Sequence, residues 1–102
     1  MDRVAMLKQF LADNPADAFA RYGLAMEYSK TGQPDAALAE FKTIVEKNPD
    51  YVPAYQMAGQ MLHEAERSDE ARQWLQNGLA AARRTGNQHA ASEMQGLLDL
   101  IG

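Results

Sequence analysis

The 102 residues suffice for one small domain and leave no room for a second catalytic lobe. The chain has no cysteine, so disulfides, thiolate zinc sites and cysteine nucleophiles are excluded, and its net charge of −4 argues against a binder that neutralises nucleic-acid phosphates. Alanine is the most frequent residue type while Val, Ile and Thr are scarce, which favours helices over sheets.

The first segment, 2–13, carries Val4, Leu7, Phe10 and Leu11 on a helical stripe. It is periodic rather than continuously apolar and holds Asp2 and Lys8, so it reads poorly as a signal peptide. No apolar run approaches the ~18 residues of a membrane span. These features give a cytoplasmic, membrane-independent expectation. Asn14-Pro15 breaks the pattern, and a second helix is predicted over 17–31. Gly32 can take the left-handed conformation that closes that helix, and Pro34 suits the first turn of a third, over 34–47. Asn48-Pro49 precedes a fourth helix over 52–65. Ser68 is the expected N-cap of a fifth, 69–84, with Asp69 and Glu70 at the positive end of its dipole and Arg83 and Arg84 at the negative end. Thr85 and Gln88 have capping-box spacing for a sixth helix, 87–101. Its stripe is Ala90, Ala91, Met94, Leu97, Leu98 and Ile101. The short spacers make consecutive helices antiparallel neighbours.

The breaks recur at a fixed interval. The shift that carries Asn14-Pro15 onto Asn48-Pro49 also aligns Ala20 with Ala54, Asp35 with Asp69 and Ala37 with Ala71. It aligns Tyr28 with Leu62, Phe41 with Leu75, and Val45 with Leu79. The first helix joins the series, because the same shift carries Leu7, Phe10 and Leu11 onto Phe41, Ile44 and Val45. Two helices per fixed period is the signature of a solenoid.

On these residues the chain resembles the tetratricopeptide repeat family, whose units of about 34 residues hold two antiparallel helices, A and B. The resemblance implies an all-α, antiparallel helix-hairpin solenoid with a right-handed superhelical turn and about six helices. It implies one domain over 1–102. Residues 1–14 would be a lone B-type helix, 15–48 the first repeat and 49–82 the second, its B helix running on to 84. Residues 87–101 would cap the end. Packing positions implied for the first repeat are Leu24, Ala25, Tyr28, Ala37, Phe41 and Pro49. For the second they are Tyr55, Ala58, Gly59, Leu62, Ala71 and Leu75. The small ones, Ala25, Gly59, Ala37 and Ala71, would let the hairpin helices approach closely. There are departures. Arg21 stands where the family usually has a large aromatic, Glu66 where the first repeat has Gly32, and Arg83 in place of a terminal proline. Gly78 replaces Ile44, which suggests close packing of the last helix over it.

The family pattern places partner-binding groove positions on Phe19, Tyr22, Met26 and Ser29, and on Pro53, Gln56, Gln60 and His63. Independently, Phe19, Tyr22 and Met26 recur at i, i+3 and i+7, while Leu24 and Tyr28 face the other way, so this helix is apolar on more than one side. Two readings follow: a shallow groove with aromatic and Met anchors for a peptide or helix, or a stripe packed on the first helix or simply exposed. A grip on a partner's C-terminal carboxylates is not expected, since Tyr22, Met26 and Met57 offer no charge-assisted donor. The last helix caps the second repeat or pairs with a second copy. The first caps the other end, or docks an upstream domain or a second copy.

Chemistry is scarce. His63, Glu64 and Glu66 lack metal-ligand spacing, and His89 with Glu93 reads as a surface pair. Ser29, Ser68 and Ser92 have no evident His and Asp partners, and no Gly-rich phosphate loop is present. Arg83-Arg84 is too short for a nucleic-acid patch, and Trp74 reads as half-buried packing. The expectation is a non-catalytic protein-interaction module, with no enzyme activity, cofactor or metal. Its partner would be a protein or peptide, without nucleic acid or membrane. The alternative is a self-assembling module that forms a homodimer through the apolar groove or the terminal helices.

Overall fold

The computed structural model describes residues 2–102; Met1, which the first predicted segment of the domain includes, lies outside them. Six helices make up the regular structure: α1 (Arg3–Asp13), α2 (Ala18–Lys30), α3 (Pro34–Lys47), α4 (Val52–Glu64), α5 (Ser68–Arg84) and α6 (Gln88–Ile101). No strand occurs among the described residues. The fold class is all-α, built of antiparallel helix hairpins, and every helix end falls at its predicted position or at the neighbouring residue.

Local chemistry sets these ends. The Asp2 carboxylate accepts from the Ala5 N–H at 2.7 Å and the Asp17 carboxylate from Ala20 N–H at 2.9 Å, each satisfying a donor in a first helical turn. Pro34 opens α3 and Pro53 sits in the first turn of α4, where no intrahelical N–H is needed. Two predicted caps are corrected. Ser68 is the first residue of α5, and Arg67 at the cap instead clamps Glu70 at 2.8 Å. The cap of α6 is Asn87, whose side chain accepts from Ala90 N–H at 3.0 Å. Thr85 closes α5 and turns its hydroxyl back onto the Ala81 and Ala82 carbonyls. Its hydroxyl is thereby engaged on the helix it ends.

Three helices stop in one way. The N–H of Gln33 donates to Tyr28 O at 2.9 Å, Arg67 to Leu62 O at 2.8 Å, and Asn87 to Ala82 O at 2.8 Å. This bond needs a left-handed residue just before the donor. Gly32 and Gly86 supply it with φ of 72°, and Glu66 supplies it with φ of 61°.

The chain divides into two compact units, one ending at Asn48 and the other beginning at Pro49. In the first, α2 packs on both α1 and α3. Its core is Leu11, Leu24, Ala25, Ala37, Phe41 and Ile44. The Tyr22 ring meets Phe41 edge-on, with centroids 6.1 Å apart. Arg21 on α2 reaches Glu40 on α3 at 2.7 Å.

In the second unit α5 packs on both α4 and α6, and α6 also touches α4. Leu62, Leu75 and Met94 are wholly buried there. The hairpin closes tightly because Gly59 has no side chain: a Cβ there would lie 2.5 Å from Leu75 Cγ. At Gly78 a Cβ would lie 2.5 Å from Tyr55 Cβ and 2.7 Å from Met94 Sδ. The last helix does pack over Gly78, as the sequence suggests, and that contact offsets the roughly 1 kcal/mol a helical glycine costs relative to alanine. Tyr55 stacks at a tilt against Trp74, 6.1 Å between centroids, and its hydroxyl donates to Pro49 O at 2.7 Å. Arg84, at the end of the prolonged α5, ties the start of the unit with contacts to Asp50 and to Pro49 O.

Candidate functional site

The first unit carries an open trough of about 500 Å³ between α1 and α2. From α1 it is lined by Arg3, Leu7 and Phe10, and from α2 by Phe19, Tyr22, Gly23 and Met26, with Glu27 and Lys30 at one end and Asp17 at the other. Its floor is set by Gly23, where the absent side chain leaves space next to the Leu7 methyls, 3.8 Å from where a Cβ would stand. Phe19 is 79% exposed and Phe10 46% exposed, so two rings stand at the trough with most or much of their surface in water. Tyr22 is held from behind by Phe41, and Met26 is half-buried.

The helix α2 reaches this state because it is apolar on two sides. Leu24 and Ala25 are buried in the unit's core, which leaves Phe19, Tyr22 and Met26 on the trough side. The polar end is positive. Arg3 Nε lies 3.0 Å and Lys30 Nζ 3.8 Å from the same Glu27 oxygen, so two cations share one carboxylate. Both cations are largely solvated, and such surface pairs contribute at most about 1 kcal/mol, so they can turn towards another anion at little cost.

Of the predicted groove residues, Phe19, Tyr22 and Met26 meet in the trough; Ser29, half-buried on the same helix, does not line it. Pro53, Gln56, Gln60 and His63 all lie on α4 in the second unit, at a spacing that gives them one face. Pro53 and Gln60 are exposed, and the Gln60 amide donates to Glu64 Oε1 at 3.4 Å. His63 is half-buried, and its Nδ1 is shielded from water without a hydrogen-bond partner. The α1 half of the trough is absent from the sequence-derived set. Arg3, Leu7 and Phe10 carry the same periodic signal as any packed helix face. Yet of Leu7 and Phe10, which the repeat shift carries onto the buried Phe41 and Ile44, the first is only half-buried and the second is exposed.

No group of three or more His, Asp or Glu side chains is placed to hold a metal among the described residues. His89 pairs with Glu93 at 2.7 Å on the solvent side of α6. No helix among the described residues is long and apolar enough to cross a membrane.

Comparison with known proteins adds a family. A model of the tetratricopeptide repeat matches residues 4–62 and again 30–94. A TPR repeat-containing protein of Pseudomonas aeruginosa is 31% identical over 88 residues, spanning 86% of this chain and 84% of its own. A tetratricopeptide repeat domain protein from Salinibacter ruber, solved in solution, is 37% identical with a TM-score of 0.77, over 85% of this chain and 88% of that one. The TPR2B domain of yeast Sti1, solved in complex with pHsp70, shares the fold: 20% identity and a TM-score of 0.86, over 96% of this chain and 78% of that one.

Proposed function

The chain belongs to the tetratricopeptide repeat family, and from that premise we propose that it is a non-catalytic protein-interaction module that docks an apolar peptide or helix of a partner protein. Repeats at 15–48 and 49–82 carry it, flanked by a B-type helix and a capping helix. Family membership supports protein binding in general. The finer reading, that α2 supplies the anchors, rests on the exposure of Phe19 above a trough that also holds Tyr22 and Met26. Burying such a ring against a partner removes apolar surface from water at about 25 cal/mol per Å². Tyr22 is already oriented by Phe41, so little rotamer entropy remains to be lost when a partner binds. The apolar wall favours an apolar side chain over a carboxylate. On α4, Gln56, Gln60 and His63 offer a polar face that would hydrogen-bond a partner's backbone.

The test is capture from native lysate, read by mass spectrometry, with wild type against Tyr22→Ala/Met26→Ala. The double variant is expected to lose the captured partner while keeping its helicity. Phe19→Ala, at a position that contributes little to the core, should weaken the same capture with no loss of stability. Equal capture by all three proteins would remove the assignment of this surface.

A further inference from the structure

We propose that the trough of one copy receives helix α6 of a second copy, so that chains associate head to tail. This rests on the reading that the trough takes a helix, and it names which one. The first observation is the shape of the α1 side. Phe41 and Ile44 are 0% and 2% exposed on α3, which packs on α2, whereas their repeat counterparts Leu7 and Phe10 line an open slot. The slot presents the surface that a helix covers elsewhere in this molecule. The second is the outer flank of α6. Met94 and Ala90 are buried, but Glu93, Gly96 and Leu100 recur at i, i+3 and i+7 on an exposed flank with the half-buried Leu97 at its edge, and Leu100 is 76% exposed.

The third observation is a vacant notch. A Cβ on Gly59 or Gly78 would strike a neighbouring side chain, and one on Gly23 would touch Leu7, but one on Gly96 would meet nothing within 4 Å. Gly96 is thus the helical glycine over which nothing nests, and the projecting Phe19 ring has the complementary shape. Charge agrees. The trough's end holds Arg3 and Lys30 around one carboxylate, and the α6 flank carries Glu93, which meets His89 at 2.7 Å, and no Lys or Arg. Lengths are compatible too: Phe19 to Lys30 spans about 16 Å of helix and Glu93 to Leu100 about 10 Å, at about 1.5 Å per residue.

Trough and α6 flank are different surfaces, so the contact is heterologous and builds closed rings or open chains. Sedimentation velocity of the whole chain from micromolar to millimolar concentration should show the mass rising above that of the monomer. Phe19→Glu and Leu100→Glu alter exposed positions and keep the helical spectrum. Each should weaken self-association by about tenfold or more. Mixed in equal amounts, they should form dimers that grow no further, because one variant supplies the intact α6 and the other the intact trough. A wild type that stays monomeric throughout, or a self-associating wild type whose two variants fail to pair when mixed, overturns the proposal. A monomeric wild type whose partner capture is lost in Phe19→Glu would overturn this inference and leave the docking function standing; a monomer whose capture is unchanged in Phe19→Glu overturns both.

Discussion

Arg21 and Tyr55 occupy the same position in successive repeats and make the same hydrogen bond: Arg21 donates to the Pro15 carbonyl at 3.1 Å, Tyr55 to the Pro49 carbonyl at 2.7 Å. Their second contacts also correspond. Arg21 pairs with Glu40 at 2.7 Å, and Tyr55 meets Trp74, the repeat counterpart of Glu40. An ion pair in one hairpin therefore stands in for an aromatic pair in the other. Each joins the A-type to the B-type helix, and each ties the proline before the hairpin to the helix that follows.

The correspondence predicts that the pairs can be exchanged only as pairs. Arg21 and Glu40 are both mostly buried, so removing one strands a half-desolvated charge. Arg21→Tyr alone should cost about 1.5–3 kcal/mol, since a hydrogen bond to a charged group is worth about that much. Arg21→Tyr with Glu40→Trp should recover most of the loss, giving a coupling of at least about 1 kcal/mol in a double-mutant cycle. Urea denaturation of the four proteins measures it. Strict additivity would show that the two pairs are not equivalent.

Tyr55 also predicts an alkaline sensitivity. Burial pushes its hydroxyl above the ordinary tyrosine value; the Arg84 charge acts against this shift and Asp50 adds to it. An unfolded tyrosine ionises near about pH 10. Above that pH the unfolded chain has lost a proton that the folded one keeps, so the unfolded state binds fewer protons and stability falls as pH rises. The stabilisation is whole below the unfolded value and disappears as pH climbs through the raised folded value. Tyr55→Phe lacks the Pro49 bond and should be less stable by about 1 kcal/mol at neutral pH. Its denaturation midpoint should then decline less steeply than wild type above pH ~10. Parallel curves for the two proteins would contradict this.

The helices are legible in the sequence because their ends are written locally. Pro34, Gly32 and Gly86 act through their own backbone limits, whatever packs around them. The cap of α6 is not legible in the same way. Thr85 and Asn87 are both capping residues and near neighbours, and the choice falls to Asn87 because the Thr85 hydroxyl is taken by the carbonyls of α5. Arg21 looks like a departure in the sequence, since its compensation by Glu40 lies far along the chain on another helix. For the site, Phe19, Tyr22 and Met26 follow from spacing on one helix. Leu7 and Phe10 do not, because a periodic stripe reads alike whether or not a helix covers it; exposure is a tertiary property.

Glu66 holds a position that favours glycine. Its φ of 61° matches the 72° of Gly32 and Gly86 at the corresponding helix ends, and a side chain there is strained by about 1–2 kcal/mol. Glu66→Gly relieves that strain but gains backbone entropy in the unfolded chain, so a net stabilisation of about 0.5–1 kcal/mol is expected. A rise of a few degrees in the thermal midpoint, with the association state unchanged, would be the readout. Gly32→Ala should move the midpoint the other way. No change in Glu66→Gly would mean the turn relaxes around the glutamate without cost.

The helical glycines separate two opposed effects of one substitution. Alanine gains about 1 kcal/mol of helix propensity over glycine at any interior helical position. At Gly96 nothing lies within 4 Å of the new Cβ, so that gain should appear in full as added stability. At Gly78 the Cβ would meet Tyr55 Cβ at 2.5 Å, an atom fixed to the α4 backbone, and Met94 Sδ at 2.7 Å. Met94 can swing aside, but Tyr55 Cβ can move only with its helix, and overpacking of this kind costs about 1–3 kcal/mol. Gly78→Ala is therefore expected to be net destabilising. Gly59→Ala should fall between the two, because its clash is with the branched end of Leu75, which is buried but can change rotamer. The order Gly96→Ala, Gly59→Ala, Gly78→Ala, from most to least stable, is checked by urea denaturation. Equal stabilisation at all three would mean that α4, α5 and α6 approach less closely than the backbone positions require.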